Sequence, residues 1–135
     1  MKTITVVAAL IKDHNQFLCT QRNQNKFDYL SYKYEFPGGK VEAGESETEA
    51  LEREIKEELD LMIQTQEKYI TVEHAYPDFF LIMHSYLCEA TSKDIHLYEH
   101  VAYKWLPVTQ FDQLDWAAAD LPIVEALKRD VARWR

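Results

Sequence analysis

The segment from residue 39 to residue 61, GKVEAGESETEALEREIKEELDL, constrains the fold of this chain more than any other feature. Ser46 followed by Glu49 is the capping-box pattern that begins an α-helix. Apolar residues spaced three or four apart then give the helix one side to bury, namely Ala50, Leu51, Ile55 and Leu59. A Pro-Gly-Gly turn at residues 37–39 comes directly before, and its glycines let the backbone pass close to the helix or to a ligand. The segment therefore predicts an amphipathic helix preceded by a glycine turn.

The polar side of this helix is strongly acidic. Glu54, Glu57 and Glu58 occupy positions i, i+3 and i+4, so their side chains converge on one face. Like charges at this spacing destabilise an isolated helix by about 0.2–0.5 kcal/mol per pair, whereas a divalent cation among them makes the cluster favourable. Oxygen ligands without a nearby Cys or His indicate Mg²⁺ or Mn²⁺ rather than zinc. The alternative is an acidic face that is simply solvated.

The same residues resemble the Nudix box, G-x5-E-x7-R-E-U-x-E-E-x-G-U, in which U is a bulky apolar residue. The pattern falls on eight positions of this chain: Gly39, Glu45, Arg53, Glu54, Ile55, Glu57, Glu58 and Leu61. Asp60 stands where the pattern has its last glycine. Because Asp tolerates the left-handed conformation better than most residues, we expect a stability loss of up to about 1 kcal/mol that leaves the ligands in place.

The resemblance implies an enzyme that hydrolyses a phosphoanhydride bond with Mg²⁺, or with Mn²⁺ as a substitute. The box glutamates would hold the metal, joined by the glycine turn and by a glutamate from a loop just before the strand at residues 101–106. The metal ligands so implied are Gly38, Glu54, Glu57, Glu58 and Glu99. An exposed loop acid without a role is the alternative for Glu99.

The resemblance also implies catalytic roles for Arg53, Glu54 and Glu57. Glu54 would take the proton of the attacking water, and Arg53 would orient the carboxylates and offset their charge. Lys40, after the glycine turn, and Arg22, at the end of a predicted strand, are candidates for binding the substrate phosphates. Either cation could instead form a surface ion pair.

The substrate prediction depends on residues 114–122, LDWAAADLP, which resemble the corresponding segment of MutT-like nucleoside triphosphate pyrophosphohydrolases. In such relatives the position of Asp120 reads the edge of the base, and an Asp there suits the amino group of cytosine or the N7–H of 8-oxoguanine. The competing role for Asp120 is an N-cap before Pro122. Stacking on the base is expected from one of three aromatic residues: Phe79, Phe80 or Tyr34.

These features together predict hydrolysis of CTP, dCTP or an oxidised nucleotide such as 8-oxo-dGTP to the monophosphate and pyrophosphate. A hydrolase of ADP-sugars or dinucleoside polyphosphates is the alternative within the enzyme class. A silent Nudix-like domain that senses nucleotides is the alternative outside it. Silent versions usually lose a ligand carboxylate or the Arg-Glu pair, and this chain has both Arg53 and Glu54.

The rest of the chain predicts an α/β fold, a mixed β-sheet between helices, as in the Nudix α/β/α sandwich. Strands are expected over residues 3–11, 17–22 and 34–36, the first two as a hairpin, and residues 23–33 should form a loop. A hairpin of residues 69–76 and 79–89 should turn at Pro77-Asp78, before the strand at 101–106. Residues 107–110 should form a turn or short helix, and a last helix should run from Asp120 to about Trp134.

Composition limits the partners. A length of 135 residues predicts one domain, residues 1–135, and the formal net charge of −8 disfavours polymeric nucleic acid. No 18-residue apolar run predicts a membrane helix, and we expect no signal peptide. Cys19 and Cys88 are expected as buried free thiols of a cytoplasmic protein. The expected partner is a small nucleotide, bound by a monomer or homodimer.

Overall fold

The computed structural model describes all residues from Met1 to Arg135. It contains seven β-strands, two α-helices and three short 3₁₀ segments. The strands and helices are β1 (Lys2–Asp13), β2 (Gln16–Gln21), β3 (Tyr34–Glu35), β4 (Gly38–Lys40), α1 (Glu47–Leu59), β5 (Ile63–Ala75), β6 (Phe79–Ala90), β7 (Ala102–Pro107) and α2 (Leu121–Arg129). The 3₁₀ segments are Val108–Gln113, Ala118–Asp120 and Val131–Trp134. No helix is both long enough and apolar enough to span a bilayer.

The sheet is mixed, and β1 lies at its centre. β1 pairs in parallel with β6 along most of its length, and β6 pairs antiparallel with the edge strand β5. On its other side β1 meets two antiparallel partners in turn, β4 opposite Val6–Ala8 and β2 near the hairpin turn. β2 in turn pairs with β3 and β7. The glycine turn is thereby fixed beside the central strand.

Alternation along β1 sends side chains into two separate apolar layers. Val7, Ala9 and Ile11 pack on the side of α1, together with its four predicted apolar residues. Ala8 and Leu10 pack on the other side, where α2 contributes Ile123, Val124 and Leu127. The predicted α/β fold with a sheet between helices is confirmed.

Helix α1 begins and ends as its sequence predicts. The Ser46 hydroxyl accepts a hydrogen bond from the Glu49 N–H at 3.1 Å, and the Ser46 N–H donates to the Glu49 carboxylate at 3.0 Å. Asp60 ends the helix in the left-handed conformation, with φ 52° and ψ 38°. These two caps fix where the helix begins and ends.

Three features differ from the sequence prediction by more than a shift of one or two residues. β5 begins at Ile63 rather than residue 69, and the sequence did not indicate this start because most of residues 64–68 are polar and exposed at the sheet edge. Residues 38–40 form a short strand rather than only a turn. The last helix ends at Arg129, and a 3₁₀ segment then brings Trp134 into the core, where its indole N–H donates to the Leu127 carbonyl at 2.8 Å.

Other predicted features are present as expected. The β1–β2 hairpin, the loop before β3 and the Pro77-Asp78 connection between β5 and β6 all appear. A 3₁₀ segment at residues 108–113 fits the prediction of a turn or short helix. Cys19 and Cys88 are both free and buried.

Candidate active site

Arg53 is the centre of an acidic group on the exposed side of α1. Its guanidinium binds the Glu45 carboxylate through two hydrogen bonds, of 2.6 and 2.9 Å, and its Nη1 donates to Glu54 at 3.1 Å and to Glu57 at 3.2 Å. Its Nη2 also donates to the Lys40 carbonyl at 3.2 Å, which ties the helix to β4. We call Glu45, Glu54 and Glu57 the outer carboxylates. One arginine neutralises part of their charge and fixes their orientation.

The glycine turn lies directly against this group. A Cβ atom placed on Gly39 would lie 2.4 Å from the carboxyl carbon of Glu54, and one on Gly38 would lie 1.9 Å from the Val7 carbonyl oxygen. Neither position can accept a side chain without displacement of its neighbours. The Pro-Gly-Gly sequence therefore brings backbone and carboxylate together as closely as they can pack.

A cavity of about 420 Å³ opens between this turn and the end of the sheet. It is lined by seven of the residues predicted from the sequence: Arg22, Gly38, Lys40, Glu58, Phe79, Glu99 and Asp120. The three predicted catalytic residues, Arg53, Glu54 and Glu57, do not line it, and Glu57 is 59% exposed. The predicted residues thus divide between the cavity and the outer surface of α1.

Glu58 faces inward from the same helix. Its side chain is only 5% exposed, and its Oε2 atom is buried without a hydrogen-bond partner. Burial raises the pKa of Glu58 well above its usual value, and the charges of Glu35, Glu99 and Glu54 raise it further. An acid in this position becomes ionised easily only when a cation joins it.

The donor chemistry of the site fits a divalent cation. The oxygens of Glu54, Glu57, Glu58 and Glu99 are hard ligands of the type that Mg²⁺ and Mn²⁺ prefer, and the orphaned oxygen of Glu58 lacks a positive partner. As they stand, no three acidic, histidine or cysteine side chains are close enough to hold a metal ion. Glu54 and Glu57 are bound to Arg53, so ligation requires them to turn.

Glu35 and His100 are site residues that were not predicted from the sequence. The Glu35 carboxylate accepts a hydrogen bond from Arg22 at 2.7 Å and lies 2.9 Å from Nε2 of His100. Burial would raise the pKa of Glu35, but the hydrogen bonds and charges of His100 and Arg22 outweigh burial and hold that pKa below its usual value. Only their positions in the sequence could have indicated them: Glu35 precedes the glycine turn, and His100 follows Glu99.

Asp120 is buried at the other end of the cavity. Its carboxylate accepts a hydrogen bond from the Phe36 N–H at 3.0 Å and does not cap α2, so the expected alternative as an N-cap is wrong. Burial raises the pKa of Asp120 well above its usual value, and the charge of Glu35 adds to this, while the Phe36 N–H and Arg22 oppose it. We call Glu35, Glu58 and Asp120 the inner carboxylates.

Of the three aromatic residues predicted to stack on the base, only Phe79 lies at the cavity. Phe79 lines the cavity and packs against Tyr76 with ring centroids 5.1 Å apart. Tyr34 instead packs edge-on against Trp116, and neither Tyr34 nor Phe80 lines the cavity. Tyr76, which the sequence did not indicate, lines it and accepts a hydrogen bond from the Ala119 N–H at 2.9 Å.

Known proteins are similar to this chain in sequence. The sequence matches the family described as NUDIX domain over residues 1–127. It is 27% identical to the 8-oxo-dGTP diphosphatase of Escherichia coli K12 over 130 residues, which cover 96% of this chain and 99% of the relative. It is 32% identical to the CTP pyrophosphohydrolase of the same organism over 126 residues, which cover 93% and 92%.

Solved structures agree with these matches. The solution structure of the DNA mismatch repair protein MutT, of the Nudix hydrolase family, from methicillin-resistant Staphylococcus aureus 252 superposes with a TM-score of 0.75 at 40% identity. The superposition covers 96% of this chain and 99% of that one. Together with the family match over residues 1–127, these comparisons show that the chain belongs to the Nudix family and is a Nudix hydrolase.

Proposed function

We propose that this chain hydrolyses a nucleoside triphosphate to the monophosphate and pyrophosphate with Mg²⁺, and that CTP, dCTP or 8-oxo-dGTP is its preferred substrate. The observation that carries the proposal is that one cavity has an orphaned buried carboxylate, Glu58, and also a buried acid suited to a base edge, Asp120. The two full-length relatives act, by their names, on these same two kinds of triphosphate. We propose further that residues 1–135 form one catalytic domain.

The phosphate end of the cavity is assigned to the acidic helix and the glycine turn. Gly38, Glu54, Glu57, Glu58 and Glu99 would hold Mg²⁺, or Mn²⁺ in its place. When bound, the ion neutralises the polyphosphate and lowers the pKa of a bound water. Glu54 takes the proton of the attacking water, and Arg53, bound to Glu54 and Glu57, orients both carboxylates.

Two cations are assigned to the substrate phosphates with different support. Lys40 is exposed and lines the cavity beside the glycine turn, which suits direct contact with a phosphate. Arg22 also lines the cavity, but its guanidinium is already bound to Glu35 at 2.7 Å. We therefore expect Lys40 to contribute more to phosphate binding than Arg22.

The base end is assigned to Asp120 and Phe79. A neutral carboxyl group presents one donor and one acceptor, and the raised pKa of Asp120 favours this form. Such a group complements the N3 and amino group of cytosine, and equally the O6 and N7–H of 8-oxoguanine. The O6 and N7 edge of ordinary guanine lacks this complementarity, because its N7 only accepts. Phe79 supplies an apolar wall for the base.

A nucleotide panel tests the proposal. Purified protein is incubated with Mg²⁺ and CTP, dCTP, 8-oxo-dGTP, the ordinary triphosphates, ADP-ribose or diadenosine polyphosphates, and phosphate and pyrophosphate are measured separately. We expect pyrophosphate release, fastest with cytosine or 8-oxoguanine substrates. In ¹⁸O-water the label should enter pyrophosphate, because attack is expected at the β-phosphorus. Faster turnover of ADP-ribose or diadenosine polyphosphates than of any triphosphate would overturn the substrate assignment.

A substitution pair tests the base assignment. Asp120→Ala removes both the donor and the acceptor that the base would meet, so it should change the ratio of kcat/KM between substrates by about tenfold. Asp115→Ala is the matched control, because the Asp115 side chain is 76% exposed and its carboxylate binds only Lys33. An equal loss on all bases with Asp120→Ala would assign Asp120 a structural role instead.

A further inference from the structure

The segment that carries Glu99 and His100 is attached at both ends to elements of the site. On one side the His96 and Tyr98 N–H groups donate to carbonyls at the end of α1, those of Leu59 at 3.0 Å and Glu58 at 3.2 Å. On the other side the Val101 N–H donates to the Gln21 carbonyl at the end of β2, at 3.0 Å. The segment therefore bridges the helix of Glu58 and the strand that leads to Arg22.

His100 lies at the centre of this bridge. Its side chain is 4% exposed, and Nε2 lies 2.9 Å from the Glu35 carboxylate and 3.8 Å from the Glu58 carboxylate. Because the Glu35 carboxylate accepts, Nε2 must carry the hydrogen that is shared with Glu35. Nδ1 is buried without a partner. The ring thus separates two of the three inner carboxylates with a single N–H donor.

We propose that His100 is a positioning residue that couples the base end of the cavity to its metal end; this inference rests on the proposed function. Through the Nε2–H it holds Glu35, which binds Arg22, a residue that lines the same cavity as Asp120, and its ring lies beside Glu58. Without the Nε2–H, Glu35 would keep only Arg22, and no imidazole donor would lie between Glu35 and Glu58. Both carboxylates would then move away from their present positions.

The coupling predicts that one substitution weakens two separate binding events. His100→Phe keeps the ring but removes the N–H, so it should weaken Mn²⁺ binding without nucleotide by about tenfold or more. It should also weaken metal-free binding of CMP or 8-oxo-dGMP, whichever the wild type binds more tightly, by about tenfold. His100→Gln places an amide N–H near the position of Nε2 and should stay within about threefold of the wild type in both measurements.

The experiment measures Mn²⁺ binding by electron paramagnetic resonance and nucleotide binding by calorimetry, with folding checked by thermal melting. His96→Phe, in the same segment but 55% exposed, is the control and should leave both affinities unchanged. If His100→Phe fails to fold, His100→Asn serves in its place, because its amide lies nearer the position of Nδ1 and should lose both affinities.

The outcomes separate the inference from the proposed function. Loss of both affinities in His100→Phe, with retention in His100→Gln, supports the coupling. Loss of only one affinity, or equal losses with Phe and Gln, overturns it. If the wild type binds both probes and His100→Phe binds them with the same affinities, only the inference is overturned. A wild-type protein that binds neither probe overturns the proposed function as well.

Discussion

The outer and inner carboxylates are both triads of acids, but they differ in how their charge is balanced. The outer group surrounds one guanidinium, and every member accepts a hydrogen bond from it. The inner group is buried, two of its three pKa values are raised, and one oxygen of Glu58 has no partner. The outer group is therefore satisfied without a ligand, whereas the inner group keeps one oxygen, on Glu58, that gains a partner only when a cation or a substrate enters. On the proposed function, metal binding would cost Glu54 and Glu57 their hydrogen bonds to Arg53, whereas it would give Glu58 the partner that it lacks.

The largest expected effect comes from the outer carboxylates. Glu54→Gln and Glu57→Gln each remove a charge that the proposed mechanism needs, and should lower kcat by about 10²-fold or more while the thermal midpoint stays near that of the wild type. The measurement is pyrophosphate release under saturating Mg²⁺.

Glu52→Gln is the matched control for this pair. Glu52 lies on the same helix, is exposed and accepts a hydrogen bond from Thr65 at 3.0 Å, which a Gln carbonyl can still accept. Full activity in Glu54→Gln would show that the outer group is only structural, and the comparison would then be wrong.

A smaller loss is expected from the glycine turn. The new Cβ of Gly39→Ala would overlap the Glu54 carboxylate, so that side chain must turn, and kcat should fall by about tenfold. Gly44→Ala is the control: a Cβ there meets no atom within 4 Å, but φ is +84°. It should cost about 1 kcal/mol of stability and leave kcat unchanged, as measured by melting and by initial rates. Unchanged activity in Gly39→Ala would mean that Glu54 does not need its present orientation.

The sequence predicted the acids of α1 much better than the contacts around Glu35, for a physical reason. Glu54, Glu57 and Glu58 lie within one helical turn and a half, so spacing alone brings them close together, although Glu58 lines the cavity and Glu57 is exposed. Glu35, His100 and Asp120 come from three distant segments, and only the pairing of β3 with β2 and the path of the loop before β7 bring them together. A pattern of neighbouring residues in the sequence cannot predict such contacts.

The fold shows the same division between local and long-range information. The caps of α1 and the hairpins follow from nearby residues and were predicted. The early start of β5 and the end of α2 at Arg129 depend on a sheet edge and on docking of Trp134 in the core. Tertiary contacts decide such boundaries, and they override the local pattern.

The inner carboxylates should make the free energy of unfolding depend on pH. A carboxyl whose folded pKa is raised binds more protons when folded, so the stability it contributes is present below its usual pKa, near 4.5, and is lost as pH rises toward the folded value. The metal-free protein should therefore lose about 1–3 kcal/mol between pH 5 and pH 8. Mg²⁺ should restore stability most strongly at the higher pH, because it binds the ionised form.

Glu58→Gln tests whether Glu58 causes this pH dependence. The neutral amide removes the contribution of Glu58, so the metal-free melting midpoint should change less with pH, although Asp120 keeps part of the slope. The same variant should lose most of the Mg²⁺ stabilisation at pH 8. The melting midpoint is measured in chelator across the pH range. If it changes with pH as steeply in Glu58→Gln as in the wild type, Glu58 does not cause the pH dependence.

The smallest effect is expected at Asp60, which belongs to neither group. It holds the left-handed position that ends α1, at φ 52°, where glycine carries no Cβ penalty. Asp60→Gly should therefore stabilise the protein by up to about 1 kcal/mol, and only part of this is offset by the loss of a 3.8 Å contact with Lys56. Since neither carboxylate group contacts Asp60, kcat and the Mg²⁺ dependence should stay unchanged, measured alongside the melting midpoint. A change in kcat would mean that the end of α1 controls the orientation of Glu57 or Glu58 more closely than its capping geometry indicates.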